Sequence, residues 1–304
     1  MLDIIVIGGG MAGMTSALYA LRNNKSVLIL ERESVGGQIA RSPKVENYPT
    51  EKSLSGAELS DKLFEQITEL GAGFELEDVK SVEKCDKKFV VVTNYNTYEC
   101  GAVIIATGVK PRLLNIENES ELLGKGVYYC AICDGPFYQG KDVALIGDAN
   151  SALQYALMLA GYCKSVHIFT LFDNFFGEKV LQDAVKNTPN IIISHNMSAI
   201  KFNGSNKLES ITFKNTQTQE VSDFKTEAVF VAIGQVPDNS AFKNVVELDK
   251  AGYILADESC TTKTDGVFVA GDCRTKQVRQ VTTAVSDGAV AATKACIYLS
   301  SIGE

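Results

Sequence analysis

Near its start the chain reads Asp3-Ile4-Ile5-Val6-Ile7-Gly8-Gly9-Gly10-Met11-Ala12-Gly13, and this stretch decides the fold class. An apolar strand leads into an intact G-x-G-x-x-G loop, and residues 14–21, free of Gly and Pro, continue as a helix. In such a unit Gly8 permits the tight turn, Gly10 lets the backbone approach a pyrophosphate, and Gly13 allows close helix–strand packing. The stretch therefore predicts a dinucleotide-binding unit of the Rossmann type, with phosphates at the helix N-terminus.

An acidic residue, Glu31, follows the next strand, Ser26–Leu30, where a carboxylate can hydrogen-bond ribose hydroxyls. An acid there disfavours a 2′-phosphate, so the expected ligand is FAD or NAD rather than NADP. Gly271-Asp272, after a late strand, favours FAD, because an acid at this position can bind a ribityl hydroxyl. Asp272 can instead be a helix or turn cap. Arg279-Gln280-Val281 opens a further helix, whose N-terminus would stabilise an anionic reduced flavin.

The strand–loop–helix plan occurs twice. A second copy, Asp142–Ile146 with Gly147-Asp148-Ala149-Asn150-Ser151-Ala152, keeps the frame but lacks the central glycines. Each copy continues into a strand and an antiparallel meander, over residues 74–100 and 191–226, and closes with another strand and a glycine. The third strand–glycine unit, residues 266–272, belongs with the first half.

This repeat predicts an α/β fold of two Rossmann-like three-layer nucleotide-binding domains, the second inserted into the first. We expect the chain to cross between them near residues 112–116 and 240–246. The FAD-binding domain would comprise residues 1–113 and 244–304. The inserted domain would comprise residues 114–243.

A cysteine pair, Cys130-Ala131-Ile132-Cys133, lies between the two copies. A zinc half-site is disfavoured because it needs two more ligands, and the chain has only two histidines, far from the pair. Two structural thiols remain open, but the spacing favours a reversible redox disulfide with a depressed thiolate pKa. Asp134 follows directly and is either a general acid or base for the departing thiolate or a turn residue. We predict no metal site.

Composition describes an ordinary globular protein of 304 residues, 45% apolar and 22% charged. The formal charge of −8 argues against non-specific nucleic-acid binding, and no apolar run is long enough to cross a membrane. The first residues already form a strand, so we expect no signal peptide and a reducing, cytoplasmic setting. The remaining cysteines are expected to be buried thiols: Cys85, Cys100, Cys163, Cys260, Cys273 and Cys296.

Together these motifs resemble the low-molecular-weight thioredoxin reductase family over essentially the whole chain, and Gly36-Gly37-Gln38, Asn47-Tyr48-Pro49 and Ala106-Thr107-Gly108 add to the match. The resemblance implies FAD, a redox disulfide on the inserted domain, a homodimer, thioredoxin as acceptor, and Asp134 as proton donor. The predicted catalytic residues are Cys130, Cys133 and Asp134. The predicted cofactor-binding residues are Gly8, Gly10, Met11, Ala12, Gly13, Glu31, Gly37, Gln38, Asn47, Ala106, Thr107, Gly108, Gly271, Asp272, Arg279, Gln280 and Val281.

The chain departs from the family where NADPH would bind. Asp148 and Ala149 replace glycines of the second loop, and the arginine-rich stretch that holds the 2′-phosphate reads Phe169-Thr170-Leu171-Phe172-Asp173-Asn174-Phe175-Phe176 here. Losing several charge-assisted phosphate contacts of about 1.5–3 kcal/mol each disfavours NADPH strongly. The four phenylalanines are expected to fill the vacated pocket as core, with an exposed docking surface for a protein donor as the alternative.

The chain looks closest to the ferredoxin-dependent flavin thioredoxin reductases of anaerobic bacteria, which implies ferredoxin as electron donor. Lys263, Arg274, Lys276 and Arg279 are candidate contacts for an acidic ferredoxin, or simply a solvated surface. Three other functions stay open: an FAD-dependent dithiol oxidase that uses oxygen, a flavin-binding redox sensor without turnover, and an NADPH-dependent thioredoxin reductase.

Overall fold

The computed structural model describes residues 1–42 and 45–303, which form two compact units. The first comprises Met1–Lys110 and Val236–Glu304, and the second comprises Pro111–Gln235. The chain thus crosses between the units a few residues earlier than the sequence predicts. Each crossing lies inside a two-residue strand, Lys110–Pro111 or Gln235–Val236, and these two strands pair with each other. Which unit carries which function stays a prediction.

In each unit, strands alternate with helices at first and then follow one another without an intervening α-helix. The first segment contains β1 Leu2–Ile7, α1 Met11–Arg22, β2 Val27–Glu31, α2 Gly56–Glu69, β3 Gly73–Leu76, β4 Val79–Cys85, β5 Lys88–Thr93, β6 Thr97–Ile105 and β7 Lys110–Pro111. The second unit contains β8 Val127–Tyr128, α3 Ala131–Asp134, β9 Asp142–Ile146, α4 Asn150–Ala160, β10 Ser165–Phe169, α5 Lys179–Lys186, β11 Ile191–Ser194, β12 Met197–Asn203, β13 Ser210–Asn215, β14 Val221–Lys225 and β15 Val229–Val231. After β16 Gln235–Val236 come β17 Val267–Val269 and α6 Val281–Ile302.

The first unit is built on a seven-stranded sheet of order β3-β2-β1-β6-β5-β4, with β17 also paired to β6. β6 is one continuous strand where the sequence analysis predicted two, and it pairs with a different neighbour along each part. Its Thr97–Cys100 part pairs antiparallel with β5, while its Cys100–Ile105 part pairs parallel with β1. The strand continues without a turn because every residue from Cys100 to Ile105 is buried, which leaves no polar position for a loop.

The second unit contains a five-stranded parallel sheet, β11-β10-β9-β15-β8, and a separate antiparallel sheet, β12-β13-β14. Each predicted antiparallel meander is wrong at its first strand: β3 pairs in parallel with β2, and β11 pairs in parallel with β10. Unlike β6, the return to the parallel sheet is interrupted after β14. Thr226 bends the chain there, since its hydroxyl donates to the Ala228 carbonyl at 2.9 Å. The fold class predicted from the sequence is confirmed.

Apolar residues cover both faces of each parallel sheet, which explains why β1 and β9 read as continuous apolar runs. Five of the six isolated cysteines are buried as predicted, but Cys85 is exposed. It is the last residue of β4 and lies beside the exposed turn residues Asp86 and Lys87. Among the described residues, no helix is both long and apolar enough to span a membrane.

Candidate active site

The first glycine loop joins β1 to α1, and its glycines have different reasons to be there. Gly8 has a φ of +112°, and a Cβ on it would lie 2.3 Å from the Ala106 carbonyl oxygen. A Cβ on Gly13 would lie 1.9 Å from the Gly8 carbonyl oxygen. The fold itself therefore requires both glycines. At Gly10 the only atom near an added Cβ is the Gly36 carbonyl oxygen, 3.9 Å away, so the fold leaves this space open.

The carboxylate of Glu31 lies beside this loop, at the end of β2. It accepts hydrogen bonds from the backbone N–H groups of Gly9, at 2.6 Å, and Glu33, at 2.7 Å. A carboxylate has about four acceptor positions, so two backbone bonds hold the group in place and leave capacity for ribose hydroxyls. Met11 and Ala12 form the first turn of α1, where free N–H groups point out of the helix.

The other predicted cofactor residues of the first unit also have defined partners. Gln38 donates to the Val109 carbonyl, and Asn47 donates to the Gln280 side chain at 3.2 Å. Gly36 donates to the Gly9 carbonyl at 2.8 Å, which places Gly37 beside the glycine loop. Gly108 has a φ of +65° in the turn after β6.

Asn239, which sequence reasoning missed, fixes that turn from the other half of the unit. It accepts from the Thr107 hydroxyl at 2.9 Å and donates to the carbonyls of Gly252 and Cys273. Its partners lie up to 132 residues away in sequence, so no local pattern could have indicated its role.

The turn Gly271-Asp272 follows β17. Gly271 adopts a φ of +82°, and its N–H donates to the Asp287 carboxylate at 3.0 Å. Burial raises the pKa of Asp272 to about 6. Within the described part of the chain its Oδ1 atom is buried and has no hydrogen-bond partner. A buried, unpaired carboxyl oxygen is costly, and a ligand hydroxyl would satisfy it. This orphaned atom fits the ribityl contact that the sequence predicts.

Asp287, on α6, forms a buried ionic cluster behind that turn. It accepts from Arg274 Nε and Nη2, both at 2.9 Å, and from Lys276 Nζ at 2.8 Å. The side chains of Arg274 and Lys276 are only 1% and 5% exposed. Both expectations for these two residues, ferredoxin contact and solvated surface, are therefore wrong. Burial opposes ionisation of Asp287, but the bonds from both cations outweigh it and lower its pKa.

The flanking predicted residues complete this region. Arg279 lies over the Tyr253 ring, 4.3 Å from its centroid, and donates to the Asp272 carbonyl at 3.3 Å. Gln280 precedes Val281, the first residue of α6. Lys263 is partly exposed and pairs with Glu247 at 4.0 Å.

We expect Asp287→Asn to lower the free energy of unfolding at pH 7 by about 3–5 kcal/mol, because it leaves two buried cations without their counter-charge. The lowered pKa means that ionised Asp287 contributes stability above its unfolded pKa of about 3.9, and that this contribution is lost as the pH falls further. The difference between variant and parent should therefore shrink below pH 4. Urea unfolding at both pH values measures it.

Glu258→Gln is the matched control, because Glu258 also pairs with Arg274 but is 90% exposed. Its loss should cost less than about 1 kcal/mol. Equal effects of the two variants would contradict a structural role specific to Asp287.

The second unit carries the cysteine pair at the start of the short helix α3. Cys130 and Cys133 form a disulfide, and the Cys133 N–H points at Cys130 Sγ, 3.2 Å away. An N–H donor at this position stabilises a thiolate on Cys130 when the disulfide opens. Both cysteines are half-buried, so the pair is accessible from outside its own core.

Asp134 ends α3 and is 7% exposed. Burial alone raises its pKa to about 7, and its Oδ1 has no partner among the residues described. The carboxyl group is therefore about half protonated at pH 7, which suits a proton donor one residue from the disulfide. A turn residue would normally face solvent and bond its own backbone, so this environment favours the acid–base interpretation.

The second glycine loop joins β9 to α4 and has the same backbone frame. A Cβ on Gly147, whose φ is +152°, would lie 2.5 Å from the Ala232 carbonyl oxygen, as Gly8 does with Ala106. What differs is the space in front of the loop. The Phe176 N–H donates to the Asp148 carbonyl at 2.8 Å, and the Glu178 N–H donates to the Asn150 side chain at 2.6 Å.

Gly177, between these two bonds, lies against the first residue of α4. A Cβ on it would be 3.2 Å from the Asn150 backbone nitrogen. In a nucleotide site, that N–H group faces phosphate. Here residues 171–178 cover it, and they include no Lys or Arg. We call residues 171–178 the covering segment.

The phenylalanines of this region divide evenly, so the expectation that all four form core is only half right. Phe169 and Phe175 are buried, at 3% and 5% exposure. Phe172 and Phe176 are 49% and 60% exposed and pack edge to face with centroids 5.2 Å apart. They point outward because the bonds to Asp148 and Asn150 fix the backbone over the loop.

Comparison with known proteins defines the class. Residues 2–288 match the family model described as pyridine nucleotide-disulphide oxidoreductase, and the chain belongs to this family. It is 40% identical over 299 residues to a 34.2 kDa protein in the rubredoxin operon of Clostridium pasteurianum, covering 98% of this chain and 97% of that one. It is 37% identical over 303 residues to the thioredoxin reductase of Bacillus subtilis, covering 99% and 96%.

Among solved structures, the thioredoxin reductase of Streptococcus pyogenes matches with a TM-score of 0.95 and 35% identity over 99% of both chains. A ferredoxin–flavin thioredoxin reductase from Clostridium acetobutylicum matches less closely, with a TM-score of 0.55 and 27% identity over 99% of this chain and 98% of that one. The chain is thus a flavoprotein disulfide oxidoreductase of the thioredoxin reductase type.

Proposed function

We propose that this chain is an FAD-dependent thioredoxin-disulfide reductase that receives electrons from reduced ferredoxin and does not use NADPH. The observation that carries the proposal is the covering segment. It fills the space before α4 with the chain's own backbone: Phe176 bonds to the Asp148 carbonyl of the loop, and Gly177 lies against the Asn150 backbone nitrogen, where a pyrophosphate would need bare N–H groups.

Electrostatics oppose NADPH at the same place. Burial raises the pKa of Asp148, so its ionised form is already disfavoured there, and a neighbouring phosphate would disfavour it further. Lys179, the first cationic residue after the covering segment, lies on α5 and pairs with Asp183 at 2.9 Å. A 2′-phosphate would therefore find acids and aromatic rings instead of the bidentate guanidinium groups that bind phosphate well.

The first unit, by contrast, suits FAD. The open space at Gly10, the anchored Glu31 carboxylate and the orphaned Asp272 oxygen offer contacts for pyrophosphate, ribose and ribityl hydroxyls in turn. Bound FAD would supply the link between one-electron donors and the two-electron chemistry of a disulfide. We assign the cofactor-binding residues of the sequence analysis to this site.

Ferredoxin as the donor is supported by chemistry and by one relative. With NADPH disfavoured, we favour a low-potential protein donor as the source of electrons, and the Clostridium acetobutylicum enzyme carries ferredoxin in its name. Plant-type ferredoxins lie near −400 mV and thioredoxin near −270 mV. Two electrons crossing that gap of roughly 130 mV release about 6 kcal/mol.

The cysteine pair and Asp134 would perform the thiol chemistry. Opening the disulfide consumes two electrons, and Asp134 protonates the thiolate of Cys133, which stays inside. The Cys130 thiolate, stabilised by the Cys133 N–H, attacks the disulfide of thioredoxin and releases one thioredoxin thiolate. Cys133 then returns its proton to Asp134, attacks the mixed disulfide at Cys130 and releases the second thioredoxin thiolate, and water supplies the two protons of the thioredoxin dithiol. The resemblance also implies a homodimer, which sedimentation would test.

The decisive experiment is anaerobic and compares donors. Purified flavin-loaded protein is mixed with oxidised thioredoxin and either NADPH or photoreduced ferredoxin, and new thioredoxin thiols are counted. We expect thiols with ferredoxin and none above background with NADPH. Turnover with micromolar NADPH would refute the donor assignment, whereas oxygen consumption with a small dithiol and none with ferredoxin would favour the oxidase.

The FAD assignment is tested by Gly10→Ala. The fold accepts this methyl group, since its nearest neighbour is 3.9 Å away, but it occupies space that the pyrophosphate requires. We expect weaker FAD binding by about 1–3 kcal/mol, or roughly 5- to 150-fold, with an unchanged melting curve of the flavin-free protein. Fluorescence titration measures the affinity, and unaltered FAD binding would contradict the site.

A further inference from the structure

Two buried oxygen atoms of the second unit lack hydrogen-bond partners in the described part of the chain and are not bonded to each other: Asp134 Oδ1 and the Tyr162 hydroxyl. Leaving a polar group buried and unpaired costs about 1–3 kcal/mol, so each such atom calls for an explanation. They come from different segments of the second unit. Asp134 ends α3, whereas Tyr162 lies just after α4, with its carbonyl accepting from the Gly140 N–H at 2.9 Å.

Gly135 shows how closely the tyrosine approaches the redox turn. Its φ of −55° and ψ of −44° are helical, so its backbone does not require glycine. A Cβ there would lie only 2.3 Å from the Tyr162 hydroxyl oxygen, and 2.8 Å from Leu159 Cδ2. The Tyr162 hydroxyl therefore fits beside Gly135, the residue directly after Asp134, because Gly135 has no side chain.

Other hydroxyl groups in this region are already engaged. Tyr128 and Tyr138 bond to each other at 3.0 Å, and Tyr129 donates to the buried Glu119. Burial is the only cause of the raised Asp134 pKa, so no charged neighbour compensates the carboxylate once it forms. Tyr162 alone among these tyrosines has a buried and unused donor.

We propose that Tyr162 is a positioning residue whose hydroxyl donates a hydrogen bond to the Asp134 carboxylate after Asp134 has released its proton. The proposal rests on the proposed function of Asp134 as proton donor. No bond in Tyr162 is made or broken: the proton passes from Asp134 to a thiolate of the Cys130–Cys133 pair, and the tyrosine keeps its own. Burial raises the pKa of Tyr162 to about 12, which keeps it neutral and able to donate throughout turnover.

The groups that bear on this titration are few. Burial raises the pKa of Tyr138, and the negative charges of Asp134 and Glu227 raise it further. Cys163, beside Tyr162, is a buried thiol, and burial raises its pKa to about 11. While the disulfide is closed, neither the Cys163 thiol nor the Tyr138 phenol ionises near neutral pH, and Asp134 is the member of this group that titrates there.

Infrared titration of the flavin-loaded protein tests the proposal. The carboxylic acid band of Asp134 is identified by its loss in Asp134→Asn and followed with pH in the parent, in Tyr162→Phe and in the control Tyr155→Phe, which removes a half-buried hydroxyl from α4. Losing one hydrogen bond to the charged form should raise the Asp134 pKa by about one unit, a tenfold change in acidity, in Tyr162→Phe only. An unchanged pKa, or an equal shift in Tyr155→Phe, would overturn the proposal.

A kinetic measurement complements the titration. The rate at which dithiothreitol reduces the Cys130–Cys133 disulfide, divided by the concentration of dithiothreitol thiolate at each pH, is recorded against pH for Tyr162→Phe with and without Asp134→Asn. The pH at half-maximal rate should rise by about one unit with Asp134 present, and Tyr162→Phe should change nothing in the Asp134→Asn background. An equal effect in both backgrounds would also overturn it. Because the infrared signal needs no electron transfer to thioredoxin, failure of the proposed function would leave this result distinguishable.

Discussion

Cys133→Ser and Cys130→Ser should each reduce ferredoxin-driven thioredoxin reduction by about 1000-fold or more, because either change removes the disulfide that both halves of the reaction share. The two variants should nevertheless differ. In Cys133→Ser the Cys130 thiol remains and nothing displaces its partner, so a mixed disulfide with thioredoxin should accumulate. In Cys130→Ser it should not. Stopped-flow rates and non-reducing mass spectrometry measure the two effects.

Cys85→Ser is the matched control for these substitutions, because Cys85 is the exposed free thiol of the described chain and lies in the other unit. We expect its rate to stay within about twofold of the parent, as for other surface changes. If Cys133→Ser turned over at the parental rate, the pair would be structural and the proposed mechanism would fail. Trapping of thioredoxin by Cys130→Ser instead would exchange the roles of the two cysteines.

Asp134→Asn should lower the rate of disulfide reduction by about 100-fold or more, since it removes the proton donor while keeping the shape of the side chain. The parental rate should fall as pH rises through about 7, the pKa of Asp134, because the carboxylate has no proton to give above it. The Asn variant should lack this dependence. A pH–rate profile of both proteins measures it, and superimposable profiles would remove Asp134 from the mechanism.

Although Asp134→Asn should slow the reaction, it should raise the free energy of unfolding at alkaline pH. The pKa of Asp134 is raised in the folded state, so folded protein holds a proton that unfolded protein releases between about pH 4 and 7, and stability falls as pH rises through that window. Asp134→Asn should thus be more stable than the parent at pH 8, by up to about 4 kcal/mol, and similar to it at pH 4. Asp173→Asn, at an exposed site, should show no such difference in urea unfolding.

Local patterns in the sequence predicted those features whose causes are local. Gly13 must be glycine because of a contact within one strand–loop–helix unit, and the cysteines of the disulfide have a sequence separation of only 3. The two-domain plan followed from the repeat of that unit. For the same reason the predicted ends of α1, β2 and β9 lie close to the observed ones.

The failures involve partners far apart in sequence. Arg274 and Lys276 looked like surface cations because nothing nearby indicated that Asp287, on a later helix, would pair with both inside the protein. β6 pairs in parallel with β1 and antiparallel with β5, and neither neighbour can be predicted from β6 alone. Which of the phenylalanines near residue 172 are buried depends on how the backbone is held over the second loop. The start of α2 could have been predicted from Ser55 and Glu58, because this spacing is typical of a capping box and the two side chains form one in the structure. The sequence analysis did not use this signal.

The covering segment also limits how this protein could be engineered. Reinstating glycine at positions 148 and 149 would recreate the consensus letters of a coenzyme loop and leave Gly177 seated on the Asn150 nitrogen. A variant intended to accept nicotinamide coenzymes would therefore need a redesigned 171–178 connection, with guanidinium groups in place of its two outward-facing rings, before any glycine became useful. Under the proposed function, the exclusion of NADPH depends on the backbone path of the covering segment, so changing it would take more than a few point substitutions.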